Sequence, residues 1–381
     1  MAQEGPDWNG LLKWSLAHSD GTTKPPQNLS EEERRWFMEA MQSQAVDVIK
    51  RMKEITLVMQ TPDKVLEEQG VTSQDIEELL DELQEHVESI DMANDLNSIG
   101  GLVPLIGYLK NSHAGIRAKA AEVVTTIVQN NPKSQKLVME ANGLEPLLSN
   151  FSSDPDVTVR TKALGAISSL IRQNKPGLAA FRLANGYAPL KDALSSESIR
   201  FQRKALNLVQ YLLQENSSDC NIVRELGLTR IMMHLASSED AEVREAALRG
   251  LFEVARDSKS GDSNLAKDGE KLKQILQERI KSIIDMAPDD LGAAKEERLL
   301  VDSLWNACFN EPSSLREKGL LVVPGDDAPA PDVASKLFEP PLRSQAAQLA
   351  AASKDSSAAE EKRAPLLLGL GSPSSGGDRQ T

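Results

Sequence analysis

Three lysines occupy one place in a repeated phrase. IRAKAAEVV from Ile116, VRTKALGAI from Val159 and FQRKALNLV from Phe201 carry Lys119, Lys162 and Lys204 at intervals of 43 and 42 residues. A fourth copy, VREAALRGL from Val243, has Ala246 at that place. Ammonium groups at constant spacing can receive carboxylates from a partner surface, which is recognition chemistry rather than catalysis. Nothing comparable exists for covalent or metal chemistry. His18, His86, His113 and His234 fall in unrelated contexts, without neighbours at zinc-ligand spacing. Cys220 and Cys308 lie far apart with no partner motif, so neither a disulfide framework nor a zinc site is expected. GLGSPSSGG from Gly369 lacks the Lys-Ser/Thr end of a phosphate loop. The carboxylate runs near 31–33, 77–82 and 239–245 read as solvated helix faces. The chain is expected to be no enzyme and to hold no metal or cofactor.

The elements that carry the lysines are legible from a second anchor in the same register. GLVPL begins at Gly101, GLEPL at Gly143, GYAPL at Gly186 and GLTRI at Gly227, in steps of 42, 43 and 41 residues. A period of about 40–47 with helical content belongs to HEAT and armadillo arrays, whose units stack because none buries its apolar face alone. Within a unit the glycine is expected to take the left-handed conformation that ends one helix, with proline three positions later in the first turn of the next. The helix from Val159 is expected to bury Ala163, Ile167, Leu170 and Ile171 at spacings of three and four. Short helices such as KSQKLVMEAN and KPGLAAFRLAN bring the number to three per unit, which favours armadillo over HEAT. The fold class is therefore all-α, an armadillo-type α-solenoid with helical caps and disordered termini. Stepping from each lysine by four and then three gives Lys119, Val123 and Thr126; Lys162, Ala166 and Ser169; and Lys204, Leu208 and Tyr211. These residues are expected to line a concave groove, and Ala246, Gly250 and Glu253 to interrupt it.

Charge is divided along the chain. Net charge is −14 over 381 residues, which argues against general binding to nucleic acid. Residues 31–99 carry 6 basic and 18 acidic side chains, whereas residues 101–256 carry 19 basic and 15 acidic. The reading is of a flexible segment over 1–29, an acidic helical cap over 30–100, four repeats over 101–256, a C-terminal helical cap over 257–311 and a mostly disordered tail over 312–381. In the first cap, Phe37, Met41, Ala45, Val48, Met52 and Ile55 share one helical face, and a second helix runs through Ile76, Leu79, Leu80, Leu83, Val87 and Ile90. In the last, one stripe passes through Ile275 and Ile283 and another from Leu299 to Phe309.

The N-terminal stretch GLLKWSLAHSDG gathers Leu11, Leu12, Trp14 and Leu16 within a polar setting. Glu4, Asp7 and Lys13 spoil a secretory signal, and no window approaches the ~18 apolar residues of a membrane span. The DGTTKPPQN that follows cannot continue a helix into a core. The chain reads as soluble and intracellular, with this peptide tethered rather than packed.

LLKWSLAHSDG at the N-terminus, an acidic cap ending in IDMANDL, and repeats carrying VVTTIVQNNPKSQ and VRTKALGAISSLIR resemble one family. It is the cytosolic armadillo-type nucleotide exchange factors of heat shock protein 70, often called heat-shock-protein-binding protein one or Fes-type. The resemblance runs from about residue 11 to residue 310. It implies a non-enzymatic, cytosolic regulator; monomer is the default for a capped solenoid, and neither nucleic acid nor membrane is an expected partner. Such a factor wraps its repeat body around one lobe of the chaperone's ATPase domain, so that ADP leaves and ATP enters. The resemblance places contacts with that domain at Ala93, where a small side chain permits close approach, and at Lys204. The register extends them to Asn94, Lys119, Lys162, Phe201, Leu208 and Tyr211. It also implies that Leu11, Leu12, Trp14 and Leu16 enter the chaperone's peptide-binding domain as a pseudo-substrate. Burying those four side chains yields about 8–12 kcal/mol, and ordering about seven residues costs about 1–2 kcal/mol each. The free peptide thus binds poorly, and tethering supplies an effective concentration of up to about millimolar. The rival class is an armadillo adaptor or scaffold, against which the absence of tryptophan from residues 101–256 counts.

Overall fold

The computed structural model of the chain describes residue 35 and residues 48–257 and 264–321. Among these residues every regular element is a helix. Leu11, Leu12, Trp14, Leu16, Phe37, Met41, Ala45 and the tail from residue 324 lie outside the described residues. The described residues divide into two compact units, the boundary falling between Val209 and Gln210.

The first unit opens with helix α1 (48–60), α2 (Asp63–Glu68), α3 (Ser73–His86) and α4 (Ile90–Ser98). Thr72 and Asp75 form a reciprocal capping box that starts α3. Val48 and Leu79 are half-buried and Met59 extends the buried stripe, while Met52, Ile55, Ile76, Leu80, Leu83 and Val87 are buried as the apolar spacing predicts. Ile90 is not, because the chain turns at Val87–Ser89 and Ile90 begins a new helix with 58% of its surface exposed.

The repeats follow as α5 (Leu102–Tyr108), α6 (Ala114–Val128), α7 (Pro132–Glu140), α8 (Leu144–Ser153), α9 (Val157–Ile171), α10 (Lys175–Leu183), α11 (Ala188–Leu194) and α12 (Ile199–Glu215), which crosses the unit boundary. The long helices α3, α6 and α9 pack side by side in chain order. Ala163, Ile167, Leu170 and Ile171 are fully buried, as the spacing of α9 predicts. Asn131 and Asn174 cap α7 and α10 with their side chains, and proline occupies the first turn of each.

The repeated glycine works differently from the expectation. The left-handed residue is the one before it, Asn142 (φ 56°) and Asn185 (φ 55°), since asparagine tolerates that region. Gly143 and Gly186 serve close approach instead. A Cβ would lie 2.6 Å from Val138 Cγ1 at Gly143 and 2.3 Å from the Phe181 ring at Gly186. In the last copy leucine precedes the glycine, and Gly227 itself becomes left-handed (φ 74°).

Two residues before each lysine position sits a long polar side chain that ties its helix to the chain just before it. Arg117 donates to the carbonyls of Asn111 and Ser112 at 2.9 Å, Arg160 to that of Phe151 at 3.0 Å, and Gln202 to that of Ser196 at 2.6 Å. Such bonds satisfy carbonyls that helix ends and turns leave without intrahelical partners. They also hold the lysine-bearing helices in one orientation from repeat to repeat.

The second unit contains α13 (Asp219–Glu225), α14 (Leu228–Leu235), α15 (Ala241–Asp257), α16 (Asn264–Ile284), α17 (Pro288–Ala293), α18 (Lys295–Phe309) and α19 (Ser314–Glu317). Arg244 repeats the carbonyl clamp, on Ser238 (2.8 Å) and Glu239 (2.7 Å). α16 buries Leu272, Ile275, Leu276, Ile280 and Ile283. α18 departs from its expected apolar stripe. Glu297, Arg298 and Asp302 are buried beside Val301, Leu304 and Trp305, while Leu299 and Phe309 are half-buried. Glu297 accepts from Arg244 at 2.9 Å and from Arg279 at 2.6 Å. Asp302 accepts from Arg316 at 2.7 Å and from the Ser313 hydroxyl at 2.8 Å.

Candidate functional site

Lys119, Lys162 and Lys204 stand at one register position of α6, α9 and α12. All three are partly exposed. The lower two already hold carboxylates. Lys119 Nζ donates to Asp81 of α3, at 2.7 Å to Oδ2, and Lys162 Nζ donates to Glu122 of α6. Each lysine thus reaches back to an acid on the preceding long helix. In α6 that acid, Glu122, stands three residues after the lysine position.

At Lys204 the pattern stops. The residue three after Lys162 is Gly165, and a Cβ built on it would lie 2.9 Å from Lys204 Nζ. Among the described residues no carboxylate is within ion-pair distance of this ammonium. Burial pulls the Lys204 pKa below the ordinary lysine value, the charges of Arg200 and Lys162 add to the shift, and Glu122 opposes it. Glu122 is itself already engaged by Lys162. Among the described residues the face therefore ends in a cation that burial desolvates and that no carboxylate pairs.

Several expected contacts prove to be core. Val123, Ala166 and Leu208, four residues after each lysine, have no exposed surface. On a helix that step rotates about 40° past the lysine, which here is enough to turn the side chain inward. The outward line runs instead through the third and seventh positions, with Glu122, Thr126 and Ser169 half-buried and Asn207 exposed. Phe201 is likewise fully buried, edge-on to Phe151 with ring centroids 6.0 Å apart, and Arg160 lies 5.1 Å from its centroid. Phe201 and Leu208 thus build the core and cannot offer a side chain to a partner. Tyr211 is half-buried on the part of α12 that belongs to the second unit.

Ala93 retains 4% of its surface. The neighbouring Asn94 accepts a hydrogen bond from the Ser134 hydroxyl at 3.2 Å, which links α4 to α7. Composition and period gave no sign of Asp81, Glu122 or Gly165. The signal that finds them is the repeat register itself, read at three residues after the lysine rather than four.

Among the described residues no group of His, Cys, Asp or Glu is arranged to hold a metal ion, and no helix is long and apolar enough to cross a membrane. Cys220 is buried and Cys308 half-buried, and no disulfide joins them. Burial pushes the Cys308 thiol up to about 11.

Residues 8–96 match the family model for nucleotide exchange factor Fes1, and residues 92–223 match that for the SIL1/FES1/HPBP1 C-terminal domain. Similar proteins include human Hsp70-binding protein 1, 28% identical over 80% of this chain and 86% of the human protein. The Hsp70 nucleotide exchange factor FES1 of Gibberella zeae is 30% identical over 40% of this chain and 70% of its own length. Among solved structures, a designed armadillo repeat protein aligns with a TM-score of 0.54 at 16% identity, covering 68% of this chain and 99% of its own. That likeness shows an armadillo-type α-solenoid. The two matched models adjoin and take in Asp81, Glu122, Gly165 and all three lysines, and the chain belongs to the Fes1 and Hsp70-binding protein 1 family of nucleotide exchange factors.

Proposed function

We propose that this protein is a nucleotide exchange factor for cytosolic heat shock protein 70 and that it meets the chaperone's ATPase domain through the lysine-bearing face of its first unit. The observation that carries this reading is family membership across residues 8–223, which contain that face. The factor does no covalent chemistry. It shifts an equilibrium, and a ligand shifts an equilibrium only by its differential affinity. It therefore binds the open, nucleotide-free lobe arrangement more tightly than the ADP-bound one. Lys204 supplies the cation for an acidic partner surface, with Lys119 and Lys162 beside it in weaker, already paired roles. Ala93 keeps only 4% of its surface and meets a partner through no more than the edge of its methyl group. Such charges speed encounter and set specificity more than they add affinity.

Leu11, Leu12, Trp14 and Leu16 form the second hand, a tethered pseudo-substrate that occupies the chaperone's peptide site while nucleotide leaves. The body divides into the N-terminal segment, acidic cap, four repeats, C-terminal cap and tail given above, and it works as a cytosolic monomer. Stopped-flow release of a fluorescent ADP analogue from purified cytosolic heat shock protein 70 tests the exchange function. Strong acceleration by this protein is the expected result, and no acceleration by folded protein sinks the reading. Leu12→Ala with Trp14→Ala should leave ADP release intact and slow client release; equal loss of both would remove the division of labour.

A further inference from the structure

A glycine in the middle of a helix costs about 1 kcal/mol against alanine, so Gly165 in the interior of α9 calls for a reason. Packing against the core does not supply one. Gly250 in α15 shows what a packing glycine looks like, since a Cβ there would lie 2.6 Å from the Met232 sulfur. At Gly165 the three nearest atoms are two of the Lys204 side chain, Nζ at 2.9 Å and Cε at 3.9 Å, and Thr125 Oγ1 at an ordinary 3.9 Å. The Thr125 hydroxyl is spent on the Ala121 carbonyl of its own helix, at 2.8 Å. The close neighbour that a side chain would disturb is thus the ammonium of Lys204.

The preceding repeat shows what the position otherwise does. Its counterpart, Glu122, takes the ammonium of Lys162 from the next helix. A carboxylate at 165 would take Lys204 in the same way and finish the row inside the protein. We propose that Gly165 is a specificity-determining gap in an intramolecular lysine–carboxylate row, and that a carboxylate of the bound partner fills it by pairing with Lys204. Arg200 and Lys162 add like charge at the ammonium, and Glu122, which opposes them, is already engaged by Lys162. No described residue supplies the missing anion, and in this proposal it comes in trans. The partner chemistry is an acidic side chain presented by a protein surface. The inference rests on the exchange-factor reading and adds to it the residue that keeps the contact lysine available.

Gly165→Glu and Gly165→Ala, each with and without Lys204→Ala, are compared in the full chain for affinity to heat shock protein 70, acceleration of ADP release and thermal unfolding. Gly165→Glu should weaken binding by at least about tenfold, equivalent to about 1.4 kcal/mol, to about the level of Lys204→Ala. Its melting temperature should not fall, and NMR of the lysine side chain should show the Lys204 pKa rising toward the ordinary range. Gly165→Ala, a better helix former, should be at least as stable as wild type yet bind more weakly, because its methyl displaces the ammonium. In the Lys204→Ala background Gly165→Ala should change affinity less than twofold. Wild-type affinity in a folded Gly165→Glu protein, alongside a weakened Lys204→Ala, overturns the gap and leaves the exchange function standing. Wild-type affinity in Lys204→Ala overturns the lysine's role and the gap with it. Failure of wild type itself to bind or to release ADP instead overturns the reading beneath both.

Discussion

Glu122 in the first unit and Glu297 in the second each pair with a cation from a neighbouring helix, but they differ in what surrounds them. The Glu122 side chain keeps 27% of its surface and its partner Lys162 keeps 17%. Glu297 keeps 2% and lies between the guanidiniums of Arg244 and Arg279. Two guanidiniums converging on one dry carboxylate fix how α15, α16 and α18 pack, because removing any member strands a buried charge. A single lysine on a half-wet carboxylate fixes little, and the same chemistry remains open to exchange with another protein. The two units thus use one interaction for opposite ends, one to close a core and the other to build a face on which a missing partner is noticed.

The largest effect that separates the two cases is at Glu297. Glu297→Ala should cost about 3–5 kcal/mol of stability, read as a lowered denaturant midpoint in the full chain. A loss below about 1 kcal/mol would mean that the pair of arginines is solvated and that the contrast with Glu122 is false.

Smaller effects grade the face itself. A double-mutant cycle on Lys162 and Glu122 should give a coupling of about 0.5–1 kcal/mol, and one on Lys119 and Asp81 about 0.2–0.5 kcal/mol. The order follows exposure, since the Lys119 and Asp81 side chains keep 32% and 47% of their surface. Raised salt should erase the Lys119 coupling first. The reverse order in the two cycles would show that burial does not grade this row.

How far such features are visible beforehand depends on whether they repeat. The period, the glycine anchors and the lysine positions recur in register, so the sequence exposes them, and the solenoid follows. The outward face was misplaced at Val123, Ala166 and Leu208 because the third and fourth positions after a lysine differ by about 100° of helix rotation, and apolar spacing alone does not say which side a neighbour covers. The inward-facing Glu297, Arg298 and Asp302 were illegible for another reason. Charged residues read as surface, and the partners that make burial tolerable lie up to 53 residues away, as with Arg244 and Glu297. Gly165 was hidden by its smallness, since a missing side chain has meaning only beside the Glu122 that fills the same place one repeat earlier.

The finest test of the comparison is a slope with pH. Lys204 is the cation for which the first unit provides no carboxylate within ion-pair distance among its described residues, and burial, then Arg200 and Lys162, hold its pKa below the ordinary lysine value of about 10.5. The folded protein therefore releases this proton at lower pH than the unfolded chain does. Between the lowered folded value and the ordinary one the unfolded state binds more protons, so the contribution of Lys204 to stability improves as pH rises. Below that window its full cost is present. Lys204→Met removes the titration, and side-chain packing adds only a constant offset. The stability of Lys204→Met relative to wild type should be flat below the window and then decline as pH rises through it, measured by chemical denaturation of both proteins in matched buffers. A difference that stays flat would mean that folding does not perturb Lys204, and one that rises at alkaline pH would mean that a counter-ion already holds it in the free protein. The row in the first unit would then be complete like the buried network of the second, and its last cation would have nothing to offer a partner.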